Sequence, residues 1–109
     1  MGSYKLISRH WVVDEKGRII IGDGRQEILE SIEKTGSLNQ TAKIMKMSYK
    51  GVWSKIKATE SYFKMRIVDT SRKRGSFLTI EGKELLRKYA EFKDKCTKAE
   101  EKIFKATFG

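Results

Sequence analysis

The sequence predicts an α+β fold that is mostly α, on three observations. Two apolar-striped runs, each opened by a serine, follow one another across the two-residue connection Lys46-Met47. A basic tip, Arg72-Lys73-Arg74, separates two short β-prone runs. A seven-residue apolar repeat then continues almost to the end of the chain. Together these describe a winged helix-turn-helix with an N-terminal β-hairpin and a long C-terminal helix.

The elements follow in chain order. "YKLISRHWVVDEKGRIIIGDG" reads as a β-hairpin, with Ile7, Trp11 and Val13 on one face and Ser8 and His10 on the other. Asp14 to Gly17 form its turn, and Arg18 to Ile21 the return strand. Asp23 offers an N-cap to a first helix, with Gln26 completing a capping box. Ile28, Leu29 and Ile32 form that helix's apolar stripe, and Gly36 is placed to end it. Ser37 opens a short second helix, again with a box partner, Gln40, and with Leu38, Ala42 and Met45 inward. Ser48 caps a third helix to about Phe63, with Val52, Ile56 and Phe63 inward, joined by Trp53. Ile67 to Thr70 and Phe77-Leu78 flank the basic loop as a wing, where Gly75 supplies a positive φ. Thr79 caps the last helix, with Glu81 in its first turn.

In that last helix Leu85, Tyr89, Phe92, Cys96, Ala99, Ile103 and Ala106 alternate spacings of four and three, the seam of a coiled-coil contact. Its first half is expected on the core. Residues 93–109 are expected to extend it into a homodimer contact; the alternative is a helix folded back on its own N-terminal hairpin. Cys96 reads as a small apolar filler that a dimer brings near its copy.

A chain of 109 residues suits a single domain over 1–109. One cysteine excludes an intramolecular disulfide and a cysteine-based metal site. There is no bilayer-length apolar run and no signal-peptide pattern, so no membrane association and a cytoplasmic location are expected. The net charge of +10 is concentrated: from Lys43 to Arg74 ten Lys/Arg face two acids, Glu60 and Asp69. Residues 1–42 are neutral and residues 75–109 sum to +2. A focused basic field suits a polyanion, here double-stranded DNA.

An α-helix fits the major groove, and its N-terminal residues reach base edges. Ser48, Tyr49 and Lys50 hold that position in the third helix, with Ser54 one turn on. Lys50 can donate to guanine, and Ser48 can serve a base or a phosphate. Tyr49 either meets a thymine methyl or a phosphate, or packs its ring on Trp53. Lys55 and Lys57 are expected on phosphates, and Arg72, Lys73 and Arg74 on the neighbouring backbone or in a minor groove. Gly51, unfavourable inside a helix, suggests close approach of a groove wall. His10 reads as a surface strand residue. No metal-ligand spacing, nucleophile elbow or phosphate loop is present, so neither enzymatic activity nor a cofactor is expected.

The run "GRQEILESIEKTGSLNQTAKIMKMSYKGVWSKI", followed by a wing and "LTIEGKELL", resembles the N-terminal DNA-binding domain of the ModE family of molybdate-responsive transcriptional regulators. More distantly it is similar to the LysR-type winged helix-turn-helix. The most specific portion is "TGSLNQTAKIMKMSYKGVW". The resemblance implies a homodimeric prokaryotic regulator, with Ser48, Tyr49 and Lys50 as the recognition set and the wing as a backbone clamp. The compact "SRKRGS" differs from the family's often longer, glycine-rich wing. The family's C-terminal oxyanion-binding domains have no counterpart before Gly109, so direct molybdate binding is not expected. The expected function is sequence-specific transcription regulation. The alternatives are a sequence-tolerant architectural DNA-binding protein and a winged-helix protein-interaction adaptor.

Overall fold

The computed structural model describes residues 4–109; Met1 to Ser3, part of the domain expected over 1–109, lie outside the described residues. The elements are β1 (Trp11–Val13), β2 (Ile19–Gly22), α1 (Asp23–Thr35), α2 (Leu38–Met45), α3 (Tyr49–Phe63), β3 (Val68–Ser71), β4 (Gly75–Leu78) and α4 (Ile80–Phe108). The two antiparallel hairpins, β1–β2 and β3–β4, form separate two-stranded sheets. The architecture is a winged helix-turn-helix, as the sequence predicts.

Local hydrogen bonds set most boundaries. Ser37 Oγ accepts from Gln40 N at 3.0 Å, Ser48 Oγ from Gly51 N at 2.9 Å, and Thr79 Oγ1 from Gly82 N at 3.0 Å. Each satisfies an amide that a helix start otherwise leaves without a partner. Gly36 and Gly75 both adopt positive φ, and Ser76 N donates to Gly36 O at 3.0 Å. That bond ties the wing to the α1–α2 turn.

The core joins Ile28, Leu29 and Ile32 of α1 to Leu38 and Ala42 of α2, Val52 and Ile56 of α3, and Leu86 of α4. Ile67, Val68 and Leu78 add the base of the wing. Ile20, Ile21 and Tyr89 make a smaller cluster where β2 meets α4. Thr59 Oγ1 donates to Ile20 O at 2.7 Å, joining α3 to that hairpin.

The N-terminal region corrects two expectations, on Asp23 and His10, and decides a point the sequence left open, the covered face of the hairpin. Asp23 is not the N-cap of α1: Gly22 holds that place, and no side chain caps the helix. The Asp23 carboxylate is instead buried and accepts from the Tyr89 hydroxyl at 2.8 Å, with Lys93 Nζ at 3.1 Å. Burial alone raises its pKa, but these partners outweigh it and hold the group below its ordinary value. Ile7, Trp11 and Val13 point to solvent, Ile7 being 73% exposed. Ser8 and His10 face the protein, because residues 4–10 run along α4 and find polar partners there. His10 is therefore not a plain surface residue. Its Nε2 lies 3.3 Å from Glu100, its ring packs edge-on to Phe92, and Ser8 Oγ donates to the same Glu100 at 2.8 Å.

Tyr4 continues this strap. Its ring meets Phe104 and Phe108 edge-on, and its hydroxyl donates to Phe108 O at 2.9 Å. The strap covers the Glu100–Phe104–Phe108 face of α4 and leaves the adjacent seam face open. Leu85 and Tyr89 of the seam pack inside the chain, whereas Phe92, Ala99 and Ile103 are exposed and Cys96 is half-buried.

Candidate nucleic-acid interface

The third helix is amphipathic in the simplest sense. Val52, Ile56, Thr59 and Glu60 are its buried residues. At 100° per residue the opposite face carries Lys50, Ser54, Lys57 and Ser61, at i, i+4, i+7 and i+11. No carboxylate stands on that stripe, because Glu60 turns inward. Tyr49 is half exposed at the helix start, beside Lys50. Ser48 is exposed too. Its oxygen is engaged in the cap, while its hydroxyl hydrogen stays free to donate.

Lys55 stands apart from the other predicted site residues. It lies about 140° around the helix from Lys50, on the flank that faces Arg25, Met45 and Met47. Lys57 is already engaged: its ammonium sits 4.6 Å above the Trp53 ring and 3.3 Å from Glu60 Oε1. Ser61 is the stripe residue that the sequence reading missed. Its position at i+7 from Ser54 was the available signal.

Gly51 has a reason inside the chain. A Cβ there would lie 3.1 Å from Ser48 Oγ and 3.5 Å from Met47 Cε, crowding the cap itself.

Glu60 connects this helix to the wing. Its Oε2 accepts from Ile67 N at 2.8 Å and Val68 N at 3.1 Å, at the entrance to β3. Burial pushes its pKa up, but the two amides and Lys57 more than offset this and hold it below the ordinary glutamate value. The buried acid thus fixes the base of the wing against the C-terminal half of α3.

Arg72, Lys73 and Arg74 are all exposed at the wing tip. Ser71 Oγ accepts from Lys73 N at 3.2 Å and Arg74 N at 3.3 Å, holding the turn, and the Arg74 guanidinium lies 4.6 Å over the Phe77 ring. At the wing base Arg66 pairs with Asp69 at 2.8 Å. The tip cations have no acid partner among the described residues.

No family model and no curated protein matches the chain. Among solved structures it is similar to the DNA-binding domain of CbnR in a DNA complex, at 17% identity and a TM-score of 0.64, covering 76% of this chain and 94% of that one. It is also similar to ArgP from Mycobacterium tuberculosis, at 21% identity and a TM-score of 0.57 over 73% of this chain. The chain spans 30% of ArgP's length. These neighbours are LysR-type regulators. At such identities the likeness establishes the fold, and it accords with the more distant of the two resemblances; nothing in it singles out the ModE family. No helix among the described residues is long and apolar enough to cross a membrane.

Proposed function

We propose that the protein is a sequence-specific DNA-binding transcriptional regulator acting as a homodimer. The observation that carries this reading is the exposed, acid-free stripe of α3. Lys50 and Ser54 lie in the major groove, and Ser48 and Tyr49 sit at the leading edge. Arg72, Lys73 and Arg74 lie on the adjacent backbone or in the minor groove. The DNA complex of the CbnR domain supports this use of the fold. Lys57, already paired, gives at most a phosphate contact, and Lys55 takes no part in base reading.

The open seam of α4 supports the dimer. Ile103 is 65% exposed and Phe92 45%, on one stripe with Cys96 and Ala99. A self-complementary contact along 93–109 covers them and sets two recognition helices on a two-fold-related site. The run "MSYK" within "TGSLNQTAKIMKMSYKGVW" resembles the ModE pattern, which supports Ser48, Tyr49 and Lys50 as the recognition set.

Fluorescence anisotropy on a selected duplex tests the DNA contact. If about eight side chains per dimer meet phosphates, the log–log salt slope is about −7. A slope near zero removes the reading. Equal affinity for scrambled duplexes transfers it to the architectural alternative. Sedimentation of Ile103→Glu tests the dimer: monomers are expected, and an unchanged dimer places the contact elsewhere.

A further inference from the structure

A cleft of about 110 Å³ opens between the N-terminal hairpin, the start of α1 and the turn that precedes α3. Trp11, Ile28, Met45 and Met47 give it apolar walls; Arg25 and Lys55 bring cations to it. No carboxylate among the described residues lines it. The aromatic wall depends on one glycine. Trp11 stands opposite Gly22 across the hairpin, and a Cβ at Gly22 would lie 2.9 Å from Trp11 Cδ1.

Three features leave positive charge uncompensated here. Arg25 donates through Nη1 to Ile19 O, but its Nε is buried without a hydrogen-bond partner among the described residues. Burial also lowers the guanidinium pKa, because desolvation disfavours the charged form. Lys55 has no ion-pair partner among the described residues. The positive end of α1 opens on the same space: Gly22 caps the helix with no side chain, and both Gly22 and Gly24 line the cleft. Asp23, the acid of that first turn, is turned away to Tyr89 and Lys93. A buried donor with no acceptor is costly and rare in folded proteins. An incoming anion supplies the counter-charge that Arg25 and Lys55 lack.

We propose that this cleft binds a small organic carboxylate. Its oxygens are taken by the Arg25 and Lys55 side chains and by the Gly24 and Arg25 amides, the Asp23 amide being engaged with His10 O. Its apolar body lies between Trp11 and the Met45–Met47 turn. An inorganic anion answers the charge but leaves the apolar walls uncovered, and a neutral apolar molecule does the reverse. Binding does not rest on the DNA-binding reading, since Lys55 and the cleft lie off the exposed stripe of α3.

Benzoate is the probe, titrated into the full chain without DNA and followed by proton–nitrogen NMR. The expected result is saturable shifts of the Trp11 indole N–H, the Gly24 and Arg25 amides and Arg25 Nε–H. Benzamide, the same shape without the charge, is expected to bind at least about tenfold more weakly. Lys55→Gln alters an exposed side chain and preserves the fold, which the rest of its spectrum reports. It is expected to weaken benzoate at least about fivefold, as is Arg25→Gln. The proposal is overturned by the absence of saturable shifts, by equal binding of benzamide, or by undiminished binding in Lys55→Gln. Inorganic phosphate binding as tightly as benzoate overturns it as well, and assigns the two cations to a phosphate contact.

Discussion

α3 and α4 are both rich in lysine and handle that charge in opposite ways. Along α4, Arg87 bridges Glu84 at 2.7 Å and Glu91 at 3.2 Å, Lys95 reaches Glu91 at 3.2 Å, and Lys98 reaches Asp94 at 3.0 Å. These are the one-turn pairs of a solvated face. Along α3, Lys50 and Lys55 have no acid partner among the described residues, and the helix's one acid is buried and engaged with Lys57 and the wing. Both helices are cationic by count. What separates them is the missing acid, and a face without counter-charges of its own is ready for a partner that brings them.

The largest test of that contrast exchanges the cations on each side. Replacing Arg72, Lys73 and Arg74 together with serine removes six cations from the proposed dimer and is expected to flatten the salt slope of DNA binding by about 5. The matched α4 variant, with Lys95, Lys98 and Lys102 changed to serine, is expected to leave the slope within about 1 of the parent. Equal changes in the two variants, measured by anisotropy across a salt series, erase the distinction between the unpaired cations of the winged face and the cations of α4.

Lys50→Ala comes next. It is expected to weaken binding to the preferred site by about 1–3 kcal/mol and to relax one base position. Uniform weakening on every sequence shows that Lys50 touches only phosphate.

Glu60→Gln probes the link between the stripe and the wing. At pH 7 it is expected to destabilise the fold by about 1–3 kcal/mol, since a buried charged acceptor of two amides and a lysine is lost. The pH dependence has a definite sign. Glu60's folded pKa is depressed, so its contribution is present above the unfolded value and disappears as pH falls through the folded one. Denaturant melts of parent and variant should therefore converge below that pH. A constant gap across the range contradicts the assignment.

The smallest effect belongs to the paired helix. Glu91→Gln removes an acid that serves both Arg87 and Lys95 at an exposed site, and is expected to leave Tm within the scatter of the measurement.

How much of this could be read from the chain depended on how local each interaction was. Ser37, Ser48 and Thr79 cap their helices through amides three residues on, so the helix-turn-helix and the start of α4 were legible residue by residue. The wing turn was legible for the same reason, with Gly75 at positive φ. Asp23 has the same local look as Ser37, yet its carboxylate goes to Tyr89 and Lys93, 66 and 70 positions away in the sequence. Period-two alternation placed Ile7 and Trp11 on one face but could not say which face the protein covers. That was decided by Glu100, the distant partner of Ser8 and His10. In the candidate site, Lys50 and Ser54 were legible from helical period, whereas Lys55 and Lys57, both expected on phosphates, looked equivalent to each other. Their separation came from Trp53 and Glu60 on one side and the Arg25 cleft on the other.

Selection of bound duplexes from a random pool, using the full chain and then Lys50→Ala, tests the central claim most directly. Enrichment of two short motifs related by two-fold symmetry is expected, with centres about 10 base pairs or a multiple apart, and with loss of preference at one position per motif in the variant. A pool that stays random while the protein still binds it would contradict the claim that the unpaired face of α3 reads sequence.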